Sequence, residues 1–165
     1  MGYCNRNKVL DSNRKVLILS RPEEQVRQKV IHFLVNNLKF PKDLIVVERK
    51  ISDLTSSGLL CPINRRIDIL CYGKGPKGLF PLLLIECKAD QFKSQDKEQL
   101  EGYNKWIGAE FVAIVSKKEA HTGFLVEDLK AYHYDQGLKD YETLLKTALE
   151  NIYSRSHETD QPAIF

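Results

Sequence analysis

The most constraining feature of the sequence is the stretch PLLLIECKAD, Pro81–Asp90, in which an apolar run ends in charged residues. A continuous apolar run of this length is typical of a strand that is buried on both faces of a sheet. Burial of a charged side chain is costly unless the charge is paired or bound to a ligand. The carboxylate and the ammonium that close the run therefore indicate a binding or catalytic site at the end of a central strand.

Glu86 and Lys88 stand two residues apart in this stretch. Side chains alternate between the two faces of a strand, so these charged groups project together, about 6 to 7 Å apart. Leu83, Ile85 and Cys87 then pack on the opposite side. A Glu-x-Lys pair is common, and a plain salt bridge at a strand end is the alternative interpretation.

A second carboxylate belongs to the preceding segment, RRIDILCY, Arg65–Tyr72. Its alternation puts Asp68 on one face, and the other face carries three apolar side chains, Ile67, Ile69 and Cys71. If the two strands pair so that Asp68 lies beside Glu86, two carboxylates and one lysine converge. Such carboxylates raise each other's pKa unless a cation lies between them. Mg²⁺ or Mn²⁺ fits this position, and the lysine would orient or help deprotonate an attacking water.

Hydrophobic periodicity divides the rest of the chain into helices and strands. A Ser20 N-cap and apolar residues at helical spacing predict a helix over Arg21–Leu38, and a second helix is predicted over Gln95–Ile107. The segment FLVEDLKAYHYD is ambiguous, and a closing helix is predicted over Leu138–Tyr153. The predicted strands are Leu44–Ile51, Arg65–Tyr72, Leu79–Ala89 and Ala109–Ser116.

This αβββαβ order predicts an α/β fold in which a central mixed sheet of four or more strands is flanked by helices. The chain has 165 residues, 42% of them hydrophobic, which suits one sizeable core. We expect residues 1–19 to form a loose basic arm, residues 20–153 to form a single domain, and residues 154–165 to form a frayed tail.

Composition limits the partners and the compartment only loosely. A net charge of +3 at pH 7 permits a polyanionic partner without requiring one. The four cysteines form no C-x-x-C pair, and Cys71 and Cys87 lie in apolar runs, which is typical of buried free thiols. No signal peptide or membrane span is visible, so we expect a cytoplasmic protein with no membrane partner.

The predicted helix after the charged strand end carries QLEGY, in which Gln99 and Tyr103 are four residues apart and share one helical face. Together with RPEEQVRQ, PKDLIVVER, RRIDILCY and LLLIECKAD, this motif resembles the PD-(D/E)xK nuclease superfamily. The resemblance is closest to the N-terminal nuclease domain of type I restriction enzyme R subunits and their short stand-alone relatives. It covers about residues 20–130 and implies a restriction-endonuclease-like core.

The resemblance also implies roles for the charged residues at the strand ends. Asp68 and Glu86 would be ligands of Mg²⁺ or Mn²⁺, with the backbone carbonyl of Cys87 as a third ligand. Lys88 would be the catalytic lysine. The motif's proline is replaced by Ile67, a change that many relatives share.

Further roles implied by the resemblance fall on the two helices. Gln99 and Tyr103 would help to position DNA or the active-site network, and Glu23 or Glu24 would bind the metal through water. A helical face shared with apolar positions favours Glu23, although a capping box explains Glu23 equally well. Basic residues near the site in sequence would contact phosphates or simply form a solvated surface: Lys93, Lys97, Lys105, Lys117 and Lys118.

Two departures from the close relatives concern the loops. VSKKE, Val115–Glu119, stands where those relatives have a Thr-Asn-Gly turn. Full R subunits carry an ATP-dependent translocase after this domain, whereas this sequence has no Walker motif: GKGPKG, Gly73–Gly78, lacks its spacing and the helix behind it. We therefore expect restriction to need a separate translocase or another restriction-modification subunit.

The sequence thus predicts a Mg²⁺-dependent nuclease that hydrolyses DNA phosphodiester bonds. Cleavage of both strands would favour a homodimer. Two other classes of function stay open. One is a catalytically silent module that binds nucleic acid or assembles with partners on the same fold. The other is a structural or interaction protein in which Glu86 and Lys88 form a salt bridge.

Overall fold

The computed structural model describes residues 8–11, 16–19, 21–54 and 64–158. In the first two ranges, strands β1 (Lys8–Asp11) and β2 (Val16–Leu19) pair antiparallel in a two-stranded sheet. The loose basic arm expected over residues 1–19 stays a prediction, with these eight of its residues forming two paired strands. The rest of residues 1–20 lies outside the described residues.

A six-stranded sheet forms the centre of the described fold. Its spatial order follows the chain, and every neighbouring pair is antiparallel except the parallel pair β5–β6. The strands are β3 (Ile45–Val47), β4 (Ile69–Gly75), β5 (Gly78–Cys87), β6 (Phe111–Val115), β7 (Ala120–Val126) and β8 (Ala131–Gln136). The predicted mixed sheet of four or more strands is confirmed.

Three α-helices of the described chain cover the sheet: α1 (Pro22–Asn36), α2 (Ser94–Ile107) and α3 (Tyr141–Glu158). Helices α1 and α3 pack on one face and α2 packs on the other. Helix α2 joins β5 to β6, because a parallel pair needs a crossover connection. Within the described residues, no helix is long and apolar enough to cross a membrane.

Strand β5 is buried on both faces, which explains its continuous apolar sequence. Leu83, Ile85 and Cys87 face the core under α1 and α3, as predicted, whereas Leu84 faces the core under α2. The sheet therefore separates two apolar cores, and β5 lies between β4 and β6 in its interior.

The start of α1 and the end of α3 differ from the predicted helix bounds. Ser20 lies outside the described residues, and the N-cap of α1 is Arg21, whose side chain makes no capping hydrogen bond. Helix α3 continues past Ser154 through Glu158, and the frayed tail expected over residues 154–165 stays a prediction. Residues 159–165 lie outside the described residues.

The predicted strand Leu44–Ile51 is shortened by the turns on either side of it. A 3₁₀ turn over Lys42–Leu44 precedes β3, and Glu48, with a φ of 49°, follows it. A left-handed residue cannot continue a strand. The ambiguous segment FLVEDLKAYHYD forms the end of β7, a 3₁₀ turn and most of β8.

The chain bends at Asp68, immediately before β4. Ile67 was expected to share a face with Ile69, but the bend sends Ile67 into the core under α2 while Ile69 enters the core under α1. Asp68 is therefore released from the strand's alternation, and its side chain turns to the end of the sheet.

The two described cysteines, Cys71 and Cys87, are buried free thiols, as predicted. Burial raises the pKa of both thiols above the usual range, so neither is a thiolate at neutral pH. Cys4 and Cys61 lie outside the described residues.

Asn104 fixes α2 to the start of β6. Its amide NH₂ donates to the carbonyl of Ala109 at 2.8 Å and to the hydroxyl of Tyr132 at 3.0 Å, and its carbonyl oxygen accepts from the N–H of Ala109 at 2.8 Å. Asn104 is buried, so no water replaces these bonds if the side chain is removed.

We expect Asn104→Ala to lower the free energy of unfolding by about 2 kcal/mol, because it leaves buried backbone groups of Ala109 without partners. Urea unfolding followed by circular dichroism measures this loss. Asn151→Ala, at an exposed position of α3, is the matched control and should change stability by less than about 0.5 kcal/mol. Equal losses in the two variants would contradict this role of Asn104.

Candidate active site

The candidate site lies where three strands reach the same edge of the sheet. Antiparallel pairing of Ile69 with Ile85 places Asp68, before β4, and Glu86, near the end of β5, at this edge. The end of β3 reaches it too, because the backbone N–H of Glu48 donates to the carbonyl of Asp68 at 3.1 Å. The predicted neighbourhood of Asp68 and Glu86 thus follows directly from the strand register.

Both carboxylate oxygens of Asp68 accept hydrogen bonds. The backbone N–H of Cys87 donates to Oδ2 at 2.7 Å, and the guanidinium of Arg27 donates to Oδ1 at 2.6 Å. Since Cys87 follows Glu86, the first bond ties the Asp68 carboxylate to the end of β5. A carboxylate oxygen has two lone pairs, so each oxygen of Asp68 keeps one for a further ligand.

Arg27, on α1, is the centre of a buried ion cluster that the sequence did not predict. In addition to Asp68 it binds Glu48 Oε1 at 2.6 Å and forms an ion pair with Glu24. Burial lowers the pKa of Arg27, but the hydrogen bonds and charges of Glu48 and Asp68 outweigh this effect and raise the pKa. The i, i+3 spacing of Glu24 and Arg27 was a visible signal, whereas the contact with Glu48 requires the tertiary fold.

Glu86 is mostly buried, with 16% of its side chain exposed. Burial raises its pKa from 4.5 to about 7, and the negative charge of Asp68 adds to this rise. Lys88 opposes the shift through its own charge and a hydrogen bond to Glu86 Oε1 at 3.2 Å. The site therefore holds a carboxylate whose charge the surrounding protein only partly compensates.

Lys88 shares the face of Glu86, as predicted, and also contacts Asp96 of α2 at 3.2 Å. Burial lowers the pKa of Lys88, but the two carboxylates outweigh it and raise the pKa, so the side chain is a charged ammonium at neutral pH. Asp96 is a site residue that the sequence did not predict. Its carboxylate also accepts a hydrogen bond from the backbone N–H of Lys93 at 2.7 Å.

The two acidic residues at the start of α1 are in different environments. Glu24 is buried, pairs with Arg27 and accepts a hydrogen bond from Gln28 at 2.9 Å. Glu23 is exposed, and its negative charge contributes to the raised pKa of Glu86. Of the two, Glu23 is therefore the residue whose side chain is open to water while its charge acts on the site.

Gln99 and Tyr103 lie on one face of α2, as predicted, and the Gln99 amide donates a hydrogen bond to the Tyr103 hydroxyl. Asp96 stands three residues before Gln99, so the face that meets Lys88 continues into this pair. Tyr103 is buried in the core under α2, while Gln99 is exposed. Their hydrogen bond connects that core to the surface of the helix.

The five lysines predicted to contact phosphates are distributed over the fold. Lys93 is the N-cap of α2, and Lys117 and Lys118 follow β6, whose carboxyl end pairs with that of β5. These three lysines are exposed, and they follow the strand ends at the same edge of the sheet as the site. Lys105 stands twelve residues after Lys93 near the other end of α2, about 18 Å along the helix.

Lys97 has aromatic neighbours instead of an open surface. Its ammonium lies 4.3 Å from the ring centroid of Tyr134 and 5.7 Å from that of Phe92. It also lies 3.1 Å from Nδ1 of His121. These contacts place the Lys97 ammonium beside β7 and β8. His121 is level with Glu86 at the same edge of the sheet, because both pair with Ile114 of β6.

The carboxylates fit a magnesium or manganese ion with an incomplete protein shell. Among the described residues, no group of three or more acidic, histidine or cysteine side chains forms a ready metal cage. Mg²⁺ requires no such cage, because it takes one or two carboxylates and fills the other positions with water, backbone carbonyls and substrate phosphates. Asp68 and the partly compensated Glu86 supply such a pair of hard oxygen ligands.

A mixed sheet between two helical layers, with an Asp, a Glu and a Lys at one edge, defines this chain as an α/β protein with a restriction-endonuclease-like core. Residues 22–145 match the family model described as type I restriction enzyme R protein N terminus. The match covers about three quarters of the chain, so the chain belongs to this family. No match was found among curated proteins or among solved structures.

The raised pKa of Glu86 predicts how the metal-free protein responds to pH. The folded state keeps a proton on Glu86 up to about pH 7, whereas the unfolded chain loses it near 4.5. The free energy of unfolding should therefore fall as the pH rises between these values. Glu86→Gln removes this penalty, so in EDTA the variant should be more stable than the unchanged protein by roughly 1 to 3 kcal/mol at about pH 8.5.

At about pH 5 the same variant and the unchanged protein should differ little, because Glu86 is then protonated in the folded state. Urea unfolding at both pH values measures the difference. Glu98→Gln, at an exposed position of α2, should show no such pH-dependent gain. If Glu86→Gln changed the free energy of unfolding equally at the two pH values, burial of Glu86 would carry no free-energy penalty for its ionised form.

Proposed function

We propose that this protein is a Mg²⁺-dependent nuclease that hydrolyses phosphodiester bonds of DNA. The observation that supports this most directly is the convergence of Asp68, Glu86 and Lys88 at one edge of the sheet. Family membership supports the relation to the nuclease domain of type I restriction enzymes. The raised pKa of Glu86 supports a site that gains from a bound cation.

In this proposal Asp68 and Glu86 hold the ion, with the backbone carbonyl of Cys87 as a third ligand and Glu23 acting through water. The hydrogen bond from Cys87 to Asp68 supports this set, because it brings the Cys87 peptide alongside the Asp68 carboxylate. Mg²⁺ or Mn²⁺, when bound, would supply Lewis-acid stabilisation of the negative charge that develops on the phosphate.

Lys88 acts as a positively charged group in the proposed reaction. Its contacts with Glu86 and Asp96 raise its pKa, so it is protonated at neutral pH and is poorly suited to remove a proton from water. It would instead orient the attacking water and stabilise negative charge on the phosphate oxygens. The raised pKa of Lys88 thus supports the orienting role over deprotonation of the water.

The neighbouring residues would position the substrate. Gln99 and Tyr103 extend the helical face that carries Asp96. Lys93, Lys117 and Lys118 are exposed on the site's side of the sheet and would contact backbone phosphates.

Partners follow from the same proposal. DNA is the substrate, and a translocase or another restriction-modification subunit would bring it to the site. Cleavage of both strands would use a homodimer, one site for each strand. Two buried free thiols suit a reducing compartment such as the cytoplasm.

Nicking of supercoiled plasmid with Mg²⁺ or Mn²⁺ tests the proposed activity. We expect the unchanged protein to nick and Lys88→Ala to be slower by at least about 100-fold, because charge stabilisation at the reacting phosphate is lost. Lys74→Ala, an exposed position at the other end of β4, is the control and should nick normally. Absence of nicking by the unchanged protein would favour the catalytically silent binding module, and equal nicking by both variants would refute the role of Lys88.

Metal binding can be tested separately from cleavage by thermal unfolding. Mn²⁺ at about 100 times its Kd should stabilise the fold by about 2.7 kcal/mol, which raises the melting temperature by several degrees. Asp68→Asn should abolish most of this rise, whereas Asp43→Asn, at an exposed turn, should retain it. The measured quantity is the shift on adding Mn²⁺, since Asp68→Asn also weakens the pair with Arg27. Equal shifts in the two variants would overturn the role of Asp68 as a metal ligand, and no shift in the unchanged protein would favour the structural salt-bridge interpretation.

A further inference from the structure

Two short segments next to the candidate site carry four exposed basic residues, Arg49, Lys50, Arg65 and Arg66. We call these four residues the basic ridge. Lys50 and Arg66 form an isolated antiparallel bridge, and two further backbone bonds join the segments: Ile67 N–H to Arg49 C=O at 2.9 Å and Ile51 N–H to Arg65 C=O at 3.0 Å. These backbone contacts therefore fix the two segments relative to each other.

The pairing places Lys50 and Arg66 directly opposite each other on one face. Like charges opposite each other in an antiparallel pair are destabilising. Within the described ranges, no residue of the basic ridge forms an ion pair with an acidic side chain. Burial of the neighbouring side chains Ile51 and Ile67 explains why the two segments pack here. It does not explain why both segments also carry cations that have no acidic partner among the described residues.

The position of the basic ridge connects it to the site. Arg66 stands two residues before Asp68, about 7 Å along an extended chain, and Lys50 stands two residues after Glu48 of the Arg27 cluster. Duplex DNA carries one negative charge per about 1.7 Å of helix axis. A duplex with one phosphate at Asp68 and Glu86 would therefore present further phosphates to the basic ridge.

We propose that the basic ridge binds the phosphate backbone of duplex DNA next to the scissile position, an inference that rests on the proposed nuclease function. The exposed residues of the two segments, over 49–53 and 64–66, include no aromatic ring on which a base could stack. The contacts are therefore made to phosphates and are independent of base sequence. A duplex is favoured over a single strand because it presents the higher charge density to these cations.

Fluorescence anisotropy with a labelled 30-base-pair DNA in EDTA tests the basic ridge without any metal-dependent cleavage. We expect Lys50→Ala/Arg66→Ala to weaken binding at least tenfold at about 100 mM salt. The slope of log K against log salt should become shallower by about 1.8, since two phosphate contacts are lost. The charge-preserving Lys50→Arg/Arg66→Lys variant should bind within a few-fold of the unchanged protein.

The matched control is Lys74→Ala/Lys77→Ala, which removes the same charge at the β4–β5 turn, roughly 30 Å along β5 from Glu86. This variant should keep the salt slope of the unchanged protein. Thermal unfolding should show no loss of stability for Lys50→Ala/Arg66→Ala, because both side chains are exposed and repel each other. A fall in its melting temperature would indicate a structural role instead.

The outcomes separate the basic ridge from the nuclease proposal. Equal affinity and equal salt slope in Lys50→Ala/Arg66→Ala and in the control would overturn the basic ridge, even in a protein that nicks plasmid. Tighter binding of a 30-nucleotide single strand than of the duplex would overturn the preference for a duplex. Salt-dependent binding through Lys50 and Arg66 in a protein that never nicks plasmid would overturn the nuclease proposal alone.

Discussion

The register between β4 and β5 is the constraint on which the rest of the structure depends. Ile69 pairs with Ile85, and a shift by one residue would exchange the faces of every side chain on one strand. Burial of β5 on both faces does not by itself specify that register, because apolar side chains point both ways. The hydrogen bond from Cys87 N–H to Asp68 adds a polar contact that only the observed register permits.

That register also concentrates negative charge in a small volume. Among the described residues, the carboxylates of Glu24, Glu48, Asp68 and Glu86 form ion pairs there with two cations, Arg27 and Lys88. Arg27 compensates the carboxylates on the α1 side, whereas burial and the charge of Asp68 raise the pKa of Glu86. A structural ion cluster would be more stable with matched charges. An unmatched carboxylate at a strand end is instead the arrangement expected of a site that binds a cation.

The sequence predicted the parts of this site that depend on local pattern. The apolar run and alternation of β5 extend over a few residues, so the shared strand face of Glu86 and Lys88 could be predicted. The four-residue spacing of Gln99 and Tyr103 likewise predicted their shared face on α2. Arg27 and Glu48 could not be predicted, because their contact joins residues 21 positions apart through a left-handed turn.

The same reasoning explains the errors elsewhere in the chain. Strand β8 alternates between exposed and half-buried side chains only, so AYHYDQ gave a weak apolar pattern. The bend at Asp68 breaks an alternation that the sequence continues without interruption through Ile67.

The basic ridge and the carboxylates place opposite charges side by side, and this has a consequence for binding order. Without a cation, the ionised carboxylates repel a phosphate that the ridge attracts. In the proposed site, a divalent ion held by Asp68 and Glu86 would remove that repulsion, and a phosphate would add oxygen ligands of the kind that Mg²⁺ prefers. Because coupling between two ligands is reciprocal, DNA held by the ridge would then strengthen metal binding by the same factor by which the metal strengthens DNA binding.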